Sequence, residues 1–238
     1  MKIHRFVYDF HFNDDLLMIK DRELINQIKN VLKLRKGERI VLIDLNKKEA
    51  LSEIVSVSEE FLQLKLLNLG LNQNESDVKV NLCCSILKNQ NFELVTQKAV
   101  EVGVSDITPI TFERTVKTNL NFTRLNKIAK EAIEQSERGE LVLINEIVDF
   151  KIGVLKKLWE KDINIVCDKS GIVFSKVLDE VKKIKDKKIN LFVGPEGGLM
   201  ADELFLAEKN GFFVMNLGLT TLRGETAAIV ASFIVNNF

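Results

Sequence analysis

From Val78 to the end of the chain, short apolar runs alternate with amphipathic segments, and this alternation is the strongest constraint on the fold. The clearest helix is predicted over residues 121–136, where apolar residues recur every three or four positions and charged residues lie between them. Runs such as INIVCD, INLFVG and FFVMNL have the composition of buried strands, and a helical pattern follows each of them. An alternation of this length predicts an α/β domain with a mainly parallel sheet.

The first 70 residues have a different pattern. Four β-like runs, IHRFVYDF, ERIVLIDL, EALSEIVSVS and FLQLKLLNL, surround one predicted helix over residues 21–34. The polar segment GLNQNESD follows them and lacks apolar periodicity, so we expect a domain boundary there. We therefore predict a small, β-rich, barrel-like domain over residues 1–70 and an α/β domain over residues 76–238.

Charge and hydropathy exclude several classes of protein. The 34 Lys and Arg residues balance 34 Asp and Glu residues, so binding of nucleic acid through an overall basic field is excluded, although a local patch is not. No apolar run approaches the roughly 18 residues of a membrane span, and the N-terminal residues lack the apolar segment of a secretory signal. We expect a cytoplasmic protein without a membrane partner.

The rare residues exclude further kinds of catalytic site. His4 and His11 both lie in the first dozen residues, which leaves the rest of the chain without an imidazole for a catalytic triad. Cys83 and Cys84 are adjacent and Cys167 is distant, a spacing that suits neither disulfides nor a zinc site. All three lie in apolar strands, so we predict buried core thiols and no metal.

Glycine is concentrated where two predicted strands end. Six of the 12 glycines fall within residues 194–224, five of them in the segments GPEGG and LGLTTLRG. The chain has no Gly-x-Gly and no Gly-Lys-Ser/Thr, so the dinucleotide fingerprint and the P-loop lack support. Ligands of open α/β sheets bind at the carboxyl ends of strands, and glycine lets the backbone approach them closely. These segments therefore predict a binding site, with ordinary strand-to-helix turns as the alternative.

Several motifs carry a family resemblance. The C-terminal set comprises GPEGG, Glu203, Leu217, Gly218 and the run Leu222, Arg223, x, Glu225, Thr226, Ala227. Other matches are Lys98, Ala99, Glu101, Gly103, Val104, Pro109, Glu113, Arg114, Glu131, Ala132, Gln135 and Ser136. Together they resemble the bacterial 16S rRNA uridine-N3 methyltransferases of the SPOUT class. Residues 31–33 with Lys36 and Gly37 are similar to the PUA-like N-terminal part of that family.

The resemblance implies a fold, an activity and partners. The C-terminal domain would be a SPOUT-type trefoil-knotted α/β domain that binds S-adenosylmethionine, and the N-terminal domain a small PUA-like β-barrel. The protein would be a homodimer that methylates N3 of a uridine in the 16S rRNA of the small (30S) ribosomal subunit. Two departures from the family pattern are Met200, where a capping Ser or Thr is common, and Glu137, where Gly usually precedes Arg138.

The same resemblance assigns site residues. Arg223 would stabilise negative charge that develops on the base, or hold a phosphate, and Glu225 would accept the N3 proton or orient Arg223. The alternative for this pair is a helix-start ion pair of small energetic value. The predicted cofactor-binding residues are Gly194, Pro195, Glu196, Gly197, Gly198, Leu217, Gly218, Leu222, Thr226 and Ala227.

Basic residues in both domains are candidates for RNA contacts. Between residues 29 and 39 five cations accompany a single carboxylate, a local excess in an otherwise neutral chain. Such a patch suits a docking domain that contacts phosphates, and a solvated loop is the alternative. The predicted RNA-binding residues are Arg5, Lys33, Arg35, Lys36, Arg114 and Arg138.

Two other functions remain compatible with the sequence. One is a catalytically silent RNA-binding or ribosome-assembly protein that has the same fold. The other is a methyltransferase of the same class that acts on a different RNA. Binding of S-adenosylmethionine separates the first from an enzyme, and the position of methylation separates the second.

Overall fold

The computed structural model describes residues 3–88, 90–184 and 187–238, and these residues form two compact units. The first unit comprises the residues up to Glu75 together with Ile133–Leu141. The second comprises Ser76–Ala132 and Val142–Phe238. The predicted division assigned residues 133–141 to the second domain, because no pattern in the sequence indicates that the chain returns to the first unit.

The first unit contains a five-stranded sheet of mixed direction. Its strands are β1 (His4–Val7), β2 (Leu16–Ile19), β3 (Arg39–Ile43), β4 (Lys48–Val57) and β5 (Leu62–Leu71). The order is β1-β3-β4-β5-β2, and the β1/β3 pair is parallel while the other neighbours are antiparallel. The four predicted β-like runs form strands, and the four-residue β2 was not predicted because so short a run gives no periodicity.

One helical segment completes the first unit. α1 (Arg22–Asn26) begins after Asp21, whose carboxylate accepts a hydrogen bond from the backbone N–H of Leu24 at 2.9 Å. A π-helical segment, Gln27–Val31, continues it and buries Ile28 in the core of this unit. The helix predicted over residues 21–34 is therefore present but ends at Val31.

The second unit contains a seven-stranded parallel sheet. Its strands are β6 (Val80–Ser85), β7 (Asp106–Thr111), β8 (Leu143–Ile144), β9 (Val148–Asp149), β10 (Ile163–Val173), β11 (Ile189–Val193) and β12 (Phe213–Asn216). The order is β12-β10-β11-β6-β7-β8, and β9 also pairs with β7. β6 and β11 are buried along their whole length, which is why their sequences are continuous apolar runs. The predicted parallel α/β sheet is confirmed.

Among residues 76–238 as the structure describes them, six helices follow strands of the parallel sheet along the chain. They are α2 (Asn91–Glu101), α3 (Phe122–Ser136), α4 (Phe150–Leu155), α5 (Phe174–Val181), α6 (Ala201–Lys209) and α7 (Gly224–Asn236). α2 packs against α7, which also contacts β6 and β11, and α4 packs against α6. The six-residue α4 was not predicted, because fewer than two turns show no helical repeat.

A row of buried polar side chains crosses the parallel sheet near the amino ends of its strands. Asn190 Nδ2 donates to Asn164 Oδ1 at 3.0 Å, and Asn81 Nδ2 donates to Asn190 Oδ1 at 2.9 Å. Thr108 Oγ1 donates to Asn81 Oδ1 at 2.8 Å. A buried amide without a partner costs free energy, so this row fixes the register of the strands and the alignment of their carboxyl ends.

Candidate active site

A cavity of about 740 Å³ lies where β11 and β12 end and where β10 bulges. This volume falls within the roughly 300–1,000 Å³ of sites that bind small molecules and cofactors. All of its walls belong to the second unit. The lining consists of Lys88, Asn91, Ala227 and residues 167–169, 193–199, 215–218 and 220–225.

The glycine-rich loop after β11 forms one wall. Its turn is closed by the backbone N–H of Gly198, which donates to the carbonyl of Pro195 at 2.8 Å. Gly198 has a φ of +71°, in the left-handed region that favours glycine. Arg114 Nη1 donates to the carbonyl of Gly197 at 2.6 Å, and a Cβ at position 197 would lie 3.2 Å from Arg114 Cδ. The turn and the guanidinium together fix the path of the loop.

A buried carboxylate holds the helix that follows this loop. Glu203, in the first turn of α6, is fully buried, and its Oε2 accepts a hydrogen bond from the backbone N–H of Met200 at 2.8 Å. Its Oε1 accepts from the backbone N–H of Glu113, also at 2.8 Å. A methionine side chain is a poor cap for a helix, so the buried Glu203 compensates for part of the departure at Met200.

The second glycine-containing loop, after β12, is fastened to β10 by side chains. Asn216 Oδ1 accepts from the backbone N–H of Gly218 at 2.8 Å, and Asn216 Nδ2 donates to the carbonyl of Lys169 at 2.8 Å. The Lys169 amino group also contacts the hydroxyl of Thr221. These contacts hold residues 216–221 against β10 at the edge of the cavity.

β10 reaches the cavity through a bulge that the sequence did not indicate. Cys167 and Ile172 both register with Met215 of β12, so the four residues between them lie outside the regular ladder. A Cβ at Gly171 would lie 2.5 Å from the backbone carbonyl of Val214. Only glycine permits so close an approach, and the bulge carries Asp168 and Lys169 into the lining of the cavity.

The two predicted catalytic residues lie at the start of α7 and line the cavity. Arg223 is exposed, and Glu225 is half-buried. Glu225 Oε2 accepts a hydrogen bond from Asn91 Nδ2 at 3.3 Å. Within the described residues Arg223 and Glu225 form no ion pair with each other, so the alternative of a helix-start ion pair is wrong for this structure.

Nine of the ten predicted cofactor-binding residues line the cavity. They comprise the five residues of GPEGG, together with Leu217, Gly218, Leu222 and Ala227. Thr226 is exposed and is not part of the lining. The helical turn explains this difference, because Thr226 follows Glu225 by one position and so points about 100° away from it.

Other lining residues were missed from the sequence. They are Lys88, Asn91, Asp168, Lys169, Asn216 and Thr221, among others. Asp168, Lys169 and Asn216 share one signal, which is that polar residues interrupt or end an apolar strand, as in INIVCDKSG. That signal occurs at most strand ends, and only the strand order shows which of these ends meet.

Arg138 was predicted to contact RNA, and its position in the first unit does not fit that role. Its side chain is 3% exposed, and its Nη2 pairs with Glu75 Oε2 at 2.8 Å. The Oε1 of Glu75 also accepts hydrogen bonds from the backbone N–H groups of Gly139 and Glu140, at 2.8 and 2.9 Å. The guanidinium therefore stabilises the interior of the unit and is not presented to a ligand.

The remaining predicted RNA-binding residues fall into two groups. Lys33, Arg35 and Lys36 are exposed, on and beside the turn that precedes β3. Arg5 is 17% exposed and pairs with Glu49 and Glu137, and Arg114 holds the glycine-rich loop described above. The exposed cations thus remain RNA-binding candidates, whereas Arg5 and Arg114 already have protein partners.

The three thiols differ in their surroundings. Cys83 and Cys84 are fully buried in β6, as predicted, and burial raises the pKa of both. Cys167 was also predicted to be buried, but it is half-buried because it borders the cavity. Burial, followed by the neighbouring Asp168 carboxylate, raises the pKa of Cys167 to about 12. All three thiols are therefore protonated at neutral pH.

The described part of the chain holds neither a membrane-spanning helix nor a group of metal-ligating side chains. In residues 3–88, 90–184 and 187–238, no helix is both long and apolar enough to cross a membrane. In the same ranges, no three His, Cys, Asp or Glu side chains are grouped as a metal ion would require.

Two family models match the chain. Residues 74–236 match the model of the RNA methyltransferase domain, and residues 21–67 match that of the RNA methyltransferase PUA domain. The first match alone extends over more than half of the chain.

Named relatives align with most of the chain. Ribosomal RNA small subunit methyltransferase E of Buchnera aphidicola subsp. Acyrthosiphon pisum is 31% identical over 188 residues, which cover 76% of this chain and 72% of that protein. The Bacillus subtilis protein of the same name is 29% identical, over 88% of this chain and 85% of that protein. Ribosomal RNA small subunit methyltransferase E 2 of Borreliella burgdorferi is 27% identical, over 90% of this chain and 88% of that protein.

Solved structures share the fold over nearly the whole chain. Ribosomal RNA small subunit methyltransferase E from Neisseria gonorrhoeae, bound to S-adenosyl methionine, has a TM-score of 0.84 at 25% identity and covers 97% of this chain and 95% of its own. A Legionella pneumophila methyltransferase in complex with SAM has a TM-score of 0.84 at 24% identity, with coverage of 99% and 97%. These likenesses confirm the predicted α/β SPOUT-class fold with a PUA-like N-terminal domain. The chain therefore belongs to the RNA methyltransferase family that includes ribosomal RNA small subunit methyltransferase E.

Proposed function

We propose that this chain transfers a methyl group from S-adenosylmethionine to N3 of a specific uridine in the 16S rRNA of the small ribosomal subunit. The observation that carries the proposal is the cavity that the two glycine-containing loops form at the end of the parallel sheet. Family membership supports the reaction class. The formed cavity also favours an enzyme over a catalytically silent RNA-binding protein.

The cavity fits the proposed cofactor. Gly197 and Gly198 line the cavity without side chains, so the hydrogen-bonding edge of adenine can approach the backbone of this loop closely, and Leu217 and Leu222 offer apolar contact to its faces. When bound, S-adenosylmethionine supplies a methyl group on a positively charged sulfur. The residues that would hold it are the nine predicted lining residues together with the β10 bulge at Asp168 and Lys169.

Arg223 and Glu225 are the proposed catalytic residues. N3 of uridine is a weak acid, so its proton must leave as the nitrogen forms its new bond to carbon. The carboxylate of Glu225 accepts this proton, and the guanidinium of Arg223 stabilises the negative charge that develops on the base oxygens. Both side chains line the cavity, and Arg223 is free of an ion pair with Glu225 in the described chain. An imidazole is not needed for this chemistry.

The proposed RNA contacts use the exposed cations of the first unit. Lys33, Arg35 and Lys36 would contact phosphates, which position an RNA without reading its sequence. We also propose that the substrate is presented as 16S rRNA or within the 30S subunit. A cytoplasmic location follows from that substrate.

We further propose a homodimer and a trefoil knot in the second unit. Phe233 of α7 and Leu94 of α2 are exposed apolar side chains on helices that pack together, which supports a dimer contact there. The chain leaves β12 at one edge of the sheet and returns as α7 to contact β6 and β11 at its centre, a path that supports a knot. Light scattering of the purified protein tests the dimer, and a molecular mass of 27.1 kDa would exclude it.

A reverse-transcription assay tests the reaction and its position. The protein is incubated with S-adenosylmethionine and with 16S rRNA or 30S subunits from a strain that lacks the gene. Methylation at N3 blocks the Watson–Crick edge, so one new stop at a uridine is expected. Methylation of another RNA without a new stop in 16S rRNA would show that the proposed substrate is wrong. If calorimetry detected no binding of S-adenosylmethionine, the proposal that the protein is a methyltransferase would be wrong.

A further inference from the structure

The segment that follows β6 contributes a wall of the cavity that no motif identified. Lys88 and Asn91 line the same cavity as the two glycine-containing loops, although they precede those loops by more than 100 residues in the sequence. Asn91 is the first residue of α2, and α2 packs against α7. The start of α2 and the start of α7 therefore meet at the site.

Three contacts hold this segment to the site. The backbone N–H of Lys88 donates to Glu196 Oε1 of the glycine-rich loop at 2.9 Å. Asn91 Nδ2 donates to Glu225 Oε2 at 3.3 Å. A Cβ at Gly224 would lie 2.9 Å from Leu87 Cδ2, so the backbone at the start of α7 rests directly on the buried Leu87. Glu225 is thus placed by its backbone and by one side-chain donor.

We infer that Asn91 is a positioning residue that orients the carboxylate of Glu225 for proton transfer. This inference rests on the proposed function. In the described residues Asn91 provides the side-chain hydrogen bond to Glu225, and it occupies Oε2. Oε1 remains able to accept a proton from substrate. A carboxylate on a flexible side chain loses most of its efficiency as a base when its oxygens are not held in place.

The balance of the step assigns each proton and bond. The N3–H bond of uridine breaks and its proton passes to Oε1 of Glu225, while the electron pair of the nitrogen forms the N3–methyl bond. The sulfur–methyl bond of bound S-adenosylmethionine would break in the same step and leave its electron pair on sulfur, so that neutral S-adenosylhomocysteine would be released. Asn91 neither gains nor loses a proton, because its amide serves only as a donor.

A double-mutant cycle tests the inference. Wild type, Asn91→Ala, Glu225→Gln and the double variant are compared in single-turnover and steady-state methylation assays, with cofactor affinity measured by calorimetry. We expect Asn91→Ala to lower kcat about tenfold, with KM for RNA and the affinity for S-adenosylmethionine unchanged. In the Glu225→Gln background the same substitution should lower the rate no further, because the group that it positions is gone. Gln90→Ala, at the neighbouring position, is the matched control and should retain the wild-type rate.

Each other outcome has a distinct meaning. A wild-type protein that binds no cofactor or methylates no RNA would overturn the proposed function. An active wild type with an unchanged kcat for Asn91→Ala would overturn the positioning role alone. Weaker cofactor binding by Asn91→Ala, or independent rate losses that multiply in the double variant, would show that Asn91 acts through the structure of the cavity and would also overturn it.

Discussion

The guanidinium of Arg138 and the carboxylate of Glu75 form a buried ion pair, with exposed fractions of 3% and 5%. Two backbone N–H groups complete the hydrogen bonds of the carboxylate, so its charge is satisfied only while the residues around 138–140 stay in place. Glu137, the residue before Arg138, has a φ of +61°, a conformation that glycine adopts more readily. This turn therefore depends on the ion pair that follows it.

Arg138→Ala should strongly destabilise the protein. The substitution leaves the Glu75 carboxylate buried without its cation, which costs about 3 kcal/mol or more in the free energy of unfolding. Urea denaturation measures the loss. Lys183→Ala, which removes an exposed pair with Glu180, is the control and should change the free energy by less than about 0.5 kcal/mol. Equal small losses for both variants would contradict the structural role of Arg138.

Arg114→Ala should weaken the binding of S-adenosylmethionine. Its guanidinium donates to the carbonyl of Gly197 at 2.6 Å, and the loss of this charge-assisted hydrogen bond frees the glycine-rich loop. We expect an affinity about tenfold lower by calorimetry. Arg124→Ala is the control, because it removes another exposed arginine that does not line the cavity. The affinity of this variant for S-adenosylmethionine should equal that of the wild type. Weaker RNA binding with normal cofactor affinity would instead support the RNA contact predicted from the sequence.

At the scale of elements, the bulge in β10 depends on one glycine. Gly171→Ala would place a methyl group 2.5 Å from the backbone of Val214, so β10 and β12 must separate locally. We expect a loss of about 1–3 kcal/mol in the free energy of unfolding and weaker cofactor binding, measured by urea denaturation and calorimetry. Gly70→Ala, with no atom within 4 Å of its Cβ position, should change neither. Normal cofactor binding by Gly171→Ala would contradict a role for the bulge in the cavity.

Elements with a strong repeat were predicted well, and short elements were not. The predicted helix over residues 121–136 corresponds to Phe122–Ser136, because its apolar stripe extends over four turns. β2 and α4 have four and six residues, too few for a period to emerge. The β10 bulge was missed for another reason, since the register of a parallel strand depends on neighbours that are distant in sequence.

For the whole molecule, three protonated thiols should make the free energy of unfolding fall as the pH becomes alkaline. Burial raises the pKa of Cys83, Cys84 and Cys167 above their usual value near 9, so in the unfolded chain the thiols lose protons that the folded protein keeps. This stabilisation is complete below about pH 8 and is lost as pH rises through 9 and above. Between pH 8 and 10 each thiol should lower the free energy of unfolding by about 1 kcal/mol.

The comparison of wild type with Cys84→Ala isolates one of these thiols. Urea denaturation under reducing conditions at pH 8 and pH 10 should show a fall that is smaller in the variant by about 1 kcal/mol. The cavity left by the lost sulfur lowers stability equally at both pH values, so the difference between them reports the thiol alone. An identical fall in both proteins would mean that Cys84 titrates normally in the folded state.

The parallel α/β sheet, the β-rich first unit and the two glycine-containing loops of the cavity could all be predicted from the amino-acid sequence. These features follow from local periodicity and from the backbone freedom of glycine, which a short stretch of chain contains in full. The burial of Arg138, the hydrogen bond from Arg114 to Gly197 and the contact of Asn91 with Glu225 across 134 positions became visible only in the folded chain. The sequence does not reveal these contacts because the partner of a charge or an amide depends on how distant elements pack together.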